Sequence, residues 1–242
     1  MDTIVETYDL GIKPYRQAWL AQQKLHHALV EEKRAMKRGD QQDPYHNNYL
    51  LLVEHPHVYT LGKNGLHENL RADEETLTHI DAEFVETDRG GDITYHGPGQ
   101  IVGYPILDLD RFSLDVKSYI QLLEEMIIRT CAEYGVEAHR KKKFPGVWVG
   151  NDKICAIGVK TSRGITMHGF AFNIFTDLHY FEYIVPCGIT DKGVTNLSRE
   201  VDDDVYLDND YIKSTLLNQM EDLLGIKVQR YGSLNLTGLE ME

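Results

Sequence analysis

Cysteine is scarce in this chain: three in 242 residues, at Cys131, Cys155 and Cys187, with no Cys-x-x-Cys pair. An odd, scattered set excludes a complete disulfide framework and a thiolate zinc site, and fits a reducing compartment. Long apolar runs are missing too. The longest, such as YLLLV at 49–53, fall far short of the ~20 residues that a membrane span needs. The opening MDTIVETYDL is acidic, so neither a secretory signal nor an Arg-rich transit peptide is expected. Positive charge is in deficit, with 25 Lys and Arg against 38 Asp and Glu and a formal net charge of −13. That balance argues against a nucleic-acid binder working by phosphate neutralisation. The expected setting is cytoplasmic, with neither nucleic acid nor membrane as a partner.

Several catalytic signatures are absent as well. There is no GxSxG elbow, no HExxH and no GxxxxGK[ST] loop. The glycines at 97, 99 and 103 are spaced GxGxxxG, and no helical pattern follows, so a dinucleotide fingerprint fails. His55 and His57 form a His-x-His without a partner cluster, which is weak evidence for a metal.

What is present is an ordinary globular composition, 42% apolar and 26% charged, with no repeat and no linker that would divide the chain. Residues 14–38 read as a helix opened by Pro14, with Ala18, Ala21, Leu25 and Ala28 on one face. Residues 49–54 and 57–61 read as two strand pieces around a bend at His55-Pro56. Further strands are expected at 84–88, in DITYH and in QIVGYPILDL. A helix from about Leu114 to Tyr134 is expected, capped by Ser113 and ended by Gly135, with Val116, Tyr119, Ile120, Leu123, Ile127, Thr130, Cys131 and Tyr134 on one face. GVWVG and KICAIGVK read as a hairpin turning at Asn151-Asp152, and Ser162-Arg163-Gly164 turns into the strand ITMHGFAFNIF. DLHYFEYI suggests a short helix, and 209–224 an amphipathic one. Strands dominate the middle with helices scattered, which gives an α+β single domain over 1–242 with a mostly antiparallel or mixed sheet.

Two segments suggest chemistry. RGGDITYHGPGQ (89–100) is glycine-rich, so its backbone can approach a ligand closely, while Arg89 can bind an anion and His96 can move a proton. Lys153 can lower the pKa of a nucleophilic thiol or, once desolvated, act as a base. Two cysteines compete for that thiol. Cys155 is two residues along the same strand and so would share a face with Lys153, whereas Cys187 sits in a Pro-Cys-Gly loop. Cys131 falls on the apolar face of a helix and reads as a packed core thiol. The run Arg140, Lys141, Lys142, Lys143 has the form of a solvated edge, yet in a chain of this charge it is where an acidic partner would dock.

RGGDITYHGPGQIVGYP resembles the signature of the lipoate-biosynthesis octanoyltransferases of the LipB type, within the biotin and lipoate protein ligase superfamily. EHPHVYTLGK (54–63), FPGVWVGNDKICAIGVK (144–160), HGFAFNI (168–174) and IVPCGI (184–189) follow in the same order, so the likeness covers about residues 49–200. The resemblance implies the mixed α/β fold of those ligases and an acyltransferase that works through a cysteine thioester. Its donor would be octanoyl-acyl carrier protein. Its acceptor would be a lysine of a lipoyl domain, in 2-oxo-acid dehydrogenase subunits or the glycine-cleavage H protein. By that likeness Cys187 is the nucleophile and Lys153 its catalytic partner. Substrate-binding positions fall on Arg89, Gly90, Gly91, Asp92, Ile93, Thr94, Tyr95 and His96, on Ala156, Ile157 and Gly158, and on His168, Gly169 and Phe170. Thioester exchange is near thermoneutral, so no ATP, no metal and no cofactor are expected. The alternatives are an ATP-dependent lipoate or biotin protein ligase of the same fold, or a non-catalytic acyl-binding protein.

Overall fold

Two sheets of unequal size organise the chain in the computed structural model, which describes residues 4–39, 48–185 and 193–231. The strands are β1 (Ile4–Ile12), β2 (Asn48–Glu54), β3 (Val58–Leu61), β4 (Glu83–Glu86), β5 (Ile93–His96), β6 (Gln100–Ile106), β7 (His139–Lys141), β8 (Phe144–Val149), β9 (Asp152–Ser162), β10 (Ile165–Asn173) and β11 (Lys227–Tyr231). The helices are α1 (Tyr15–Arg38), α2 (Glu74–His79), α3 (Val116–Glu133), α4 (Leu197–Glu200) and α5 (Asn209–Leu224). The large sheet runs β11-β1-β2-β6-β10-β9-β8-β7, and the small one β4-β3-β5. In the large sheet β1 pairs in parallel with β2 and β11, and the other pairs are antiparallel. This is the mixed α+β single domain expected from the sequence.

The run YLLLV shows how the layers form. Alternate residues of a strand face opposite sides, so Leu50 and Leu52 enter the core under α3 and α5, while Leu51 and Val53 enter the core under α1. A strand covered on both faces needs no polar alternation. On α3, Tyr119, Leu123, Ile127, Thr130 and Cys131 are buried as the periodicity requires, together with Met126. Each buried Leu or Ile of this size contributes ~1.5–3 kcal/mol.

The structure departs from the sequence reading at several points. The N-cap of α3 is Asp115, whose carboxylate accepts from Ser118 N; Ser113 instead lies in the left-handed region, φ 53°, and closes the preceding 3-10 turn. Val116 is exposed. On α1 the buried stripe passes through Tyr15, Ala18, Ala21, Gln22, Leu29 and Lys33, while Ala28 faces solvent. The two strand pieces around His55-Pro56 belong to different sheets, β2 to the large and β3 to the small. That bend carries the chain from one sheet to the other and so opens the space between them. Among the described residues, no helix is long and apolar enough to cross a membrane.

Candidate active site

A cavity of about 760 Å³ lies where the α1-side face of the large sheet meets the small sheet. Its floor is made of residues almost without side chains. Gly169 pairs with Gly158, and Ala171 with Ala156, across β10 and β9. The glycines are required by close approach: a methyl at Gly169 would overlap Gly103 O, and one at Gly158 would meet Gly90 O at 3.0 Å. Val102, Tyr104 and Tyr15 continue the apolar wall. Of the residues singled out by sequence, Arg89, Gly91, Asp92, Ile93, Thr94, His96, Lys153, Ala156, Ile157, Gly158, His168, Gly169 and Phe170 line this one cavity.

Two of the expected binding residues do not. Gly90 is turned to the sheet, its N–H donating to Val159 O at 2.9 Å, and Tyr95 is buried among Tyr59, Tyr180 and Phe181. Both support the wall from behind. The turn that begins at Arg89 is tied to the end of β3 through Lys63 N to Arg89 O (2.9 Å) and Asn64 N to Gly91 O (3.1 Å). The Arg89 guanidinium is itself buried and donates to Thr60 O at 2.6 Å and Thr60 Oγ1 at 2.9 Å.

A hydrogen-bond chain crosses the cavity floor. His96 Nδ1 meets Gln100 Oε1 at 2.8 Å, Gln100 Nε2 donates to Asn173 Oδ1 at 2.8 Å, and Asn173 Nδ2 donates to Thr195 O at 2.9 Å. Thr195 N donates in turn to Lys153 O. Burial, then the neighbouring His55, holds His96 well below the usual imidazole range, so it is neutral. His168 has φ 59°, a left-handed value rare outside glycine. Strand alternation alone would send it to the α3 side with Phe170 and Phe172. Instead it lies on the α1 side, with its N–H donating to Gln22 Oε1 and Nε2 at 2.7 Å from Asp88 Oδ1. Burial lowers the His168 pKa, partly offset by Asp88. Burial alone would raise the Asp88 carboxyl, but hydrogen bonds from His168 and Lys160 outweigh it and hold it well below the usual range. His168 Nδ1 is buried and has no partner among the described residues.

Lys153 reaches the cavity through a β-bulge. The β8–β9 register jumps from Val147↔Cys155 to Trp148↔Lys153, leaving Ile154 unmatched. Ile154 and Cys155 therefore both enter the core under α3, while Lys153 and Ala156 face the cavity. Cys155, expected to share a face with Lys153, does not; burial pushes its thiol well above the usual range. Beyond the Phe172↔Cys155 pair, residues 193–195 take the place beside Lys153, with Lys153 N donating to Gly193 O at 3.0 Å. The ammonium lies 4.8 Å from the centre of the Trp148 ring. Cys187 lies outside the described residues. The residues flanking that segment, Val185 and Gly193, both line the cavity.

Sequence reasoning passed over Tyr15, Trp148, Asn173, Arg71 and Arg199, which also line it. They come from five separate elements, and only Trp148 and Asn173 lay inside motifs noted for other residues. The basic run divides: Arg140 is tied to Glu124 and Glu125, Lys141 to Asn151, and only Lys143 borders the cavity. His55 is buried between Lys13 O and Tyr104 OH, and His57 Nδ1 meets Tyr95 OH. Among the described residues no group of three or more His, Cys, Asp or Glu could hold a metal ion.

Such a cavity, apolar and floored by glycine and alanine with a lysine at its edge, suits an acyl chain whose reactive end stops beside an amine. The family model of the lipoyl protein ligase A/B catalytic domain matches residues 14–221. An octanoyltransferase of Flavobacterium johnsoniae is 47% identical over 233 residues, covering 94% of this chain and all of that protein. One of Bacteroides thetaiotaomicron is 46% identical, covering 92% of this chain and 96% of that one. Among solved structures, lipoate-protein ligase A bound with ATP superposes with a TM-score of 0.74 at 15% identity, over 99% of this chain and 92% of that one. A lipoate protein ligase from Thermoplasma acidophilum with bound lipoic acid gives 0.72 at 15%, over 99% and 93%. At that identity the likeness speaks for the fold alone.

Proposed function

Because the chain belongs to the lipoyl protein ligase A/B catalytic-domain family, with octanoyltransferases among its relatives, we propose that it transfers an octanoyl group in lipoate biosynthesis. The donor is octanoyl-acyl carrier protein, the acceptor is a lysine of a lipoyl domain, and Cys187 carries the acyl group between them. The observation that carries this reading is the convergence on one cavity of Lys153, the glycine-rich segment and both flanks of the Cys187 segment.

The chemistry proceeds in two exchanges. Cys187 thiolate attacks the donor thioester carbonyl, a new carbon–sulfur bond forms, and the carrier leaves as its thiolate, taking up a proton. The lysine amine of the acceptor then attacks the Cys187 thioester, forming the amide and returning the thiolate, while the ammonium proton passes to a base. Lys153 serves both steps: charged, it steadies the thiolate, and neutral, it takes the amine's proton. N–H donors of the glycine-rich segments can hold the tetrahedral oxyanion, each worth ~3–4 kcal/mol in the transition state. The apolar cavity holds the chain at roughly 0.8 kcal/mol per buried methylene.

Intact-mass measurement after incubation with octanoyl-carrier protein, before any acceptor is added, tests the reading. A gain of one octanoyl group that Cys187→Ser abolishes and Cys155→Ser preserves is the expected result. Transfer supported by free octanoate with ATP and magnesium would instead make the protein a ligase.

A further inference from the structure

Several exposed cations on this acidic chain have carboxylate partners. Arg16 pairs with Glu83, Arg129 and Arg140 with Glu125, and Lys213 with Asp9. The cavity wall gathers three that do not. Arg71 follows the 3-10 turn at residues 67–69, Lys143 stands between β7 and β8 with φ 74°, and Arg199 sits on α4. All three are exposed, all three line the cavity, and none has a carboxylate partner among the described residues. Of the two carboxylates on the wall, Asp92 already accepts from Asn69 Nδ2 at 2.6 Å and from Ile93 N at 2.7 Å, and Glu182 pairs with His179 at 3.0 Å.

Three segments distant in sequence thus bring positive charge to the wall of one cavity, in a molecule of net charge −13. Cations that face one low-dielectric cavity favour the entry of an anion. Resting on the acyl-transfer reading above, we infer that Arg71, Lys143 and Arg199 bind the phosphate of the donor's pantetheine arm as it crosses the lip of the cavity. A phosphate is favoured over the carboxylates of a partner's surface for two reasons. Two of the three cations are arginines, whose planar fork matches phosphate oxygens. They also belong to the wall of the cavity itself, where an entering arm passes, rather than to a stripe along an outer face.

The test uses two unreactive thioethers, S-octyl-phosphopantetheine and S-octyl-pantetheine, with calorimetry on the full chain. The phosphorylated ligand should bind at least tenfold more tightly at low ionic strength, and the difference should shrink as salt is added. In the triple variant Arg71→Gln, Lys143→Gln, Arg199→Gln the two affinities should converge, while that for S-octyl-pantetheine is retained. Single variants, each expected to lose severalfold, serve if the triple variant folds poorly, with circular dichroism as the check. Equal affinities in the unsubstituted protein would overturn the inference, as would a variant that weakens binding only of the intact carrier protein, which would place carboxylates there instead. Failure of octanoyl-phosphopantetheine to acylate the chain would count against the acyl-transfer reading and leave the binding result intact.

Discussion

The ammonium of Lys153 lies 4.8 Å from the centre of the Trp148 ring, and Lys141 approaches the same ring at the same distance. The aromatic face favours a charged lysine, by ~0.5–2 kcal/mol depending on desolvation. Trp148 is 2% exposed and anchored through Nε1 to Phe144 O, so it is a fixed platform. Trp148→Leu should lower kcat by roughly two- to thirtyfold on that energy scale. It should also move the pH-rate limb assigned to Lys153 to lower pH, with Trp148→Phe restoring most of both. An unmoved pH profile would reduce Trp148 to packing.

Burial raises the Cys131 thiol to about 12 and the Cys155 thiol well above its ordinary range. Thiolates react and thiols do not. Iodoacetamide at neutral pH should therefore spare both in the folded protein, leaving Cys187 as the labelled position, and reach all three in urea. Peptide mass spectrometry reads the outcome. Label on native Cys155 would contradict the placement of its sulfur in the core.

His55 is fully buried, and burial lowers its pKa to about 4, against ~6.5 in an unfolded chain. Between these values the unfolded state binds the extra proton, so stability rises with pH across the window and falls as pH drops from 6.5 to 4. The loss from this residue is about 3 kcal/mol at ~1.4 kcal/mol per unit. His96, also buried neutral, acts in the same direction. Urea titrations at pH 7 and pH 4 should show a steep decline. His55→Gln, less stable at pH 7, should show a decline smaller by about that amount.

Gly146 and Gly135 both have positive φ, at 119° and 76°, but only the first is crowded. A methyl on Gly146 would sit 2.5 Å from Cys155 O, whereas one on Gly135 meets nothing within 4 Å. Gly135→Ala should cost about 1 kcal/mol, the strain of a left-handed backbone alone. Gly146→Ala should lower the melting temperature further, and should reduce acyl transfer by shifting the strand that carries Lys153. Equal melting temperatures for the two variants would refute the crowding argument.

The helices α3 and α5 could be read from sequence because their apolar positions recur every three to four residues. β1 and β11 could not: each gains its place only by pairing in parallel with residues far along the chain, and nothing local announces that. Ser113 and Asp115 are both plausible caps in a sequence; the φ of Ser113 decided between them. The site was legible where it is motif, in the segments holding Arg89, Lys153 and His168. It was illegible where it is tertiary, as with Trp148 beneath Lys153, or Arg71 and Arg199 beside Lys143. Alternation along β9 misplaced Cys155 because one unmatched residue, Ile154, has no sequence signature.

That unmatched residue makes β9 behave like a message with a reading frame. Before Ile154 the odd-numbered Lys153 faces the cavity, and after it the even-numbered Ala156 and Gly158 form the floor. Deleting a single residue between Lys153 and Ala156 would restore a regular ladder and, with it, the wrong phase: the lysine would be drawn toward the hydrophobic interior or the alanine floor replaced by bulky neighbours. A conservative substitution leaves that phase intact, whereas a change of length by one residue does not. Lineages that drift in sequence are therefore expected to keep the spacing from the lysine to the small residues fixed.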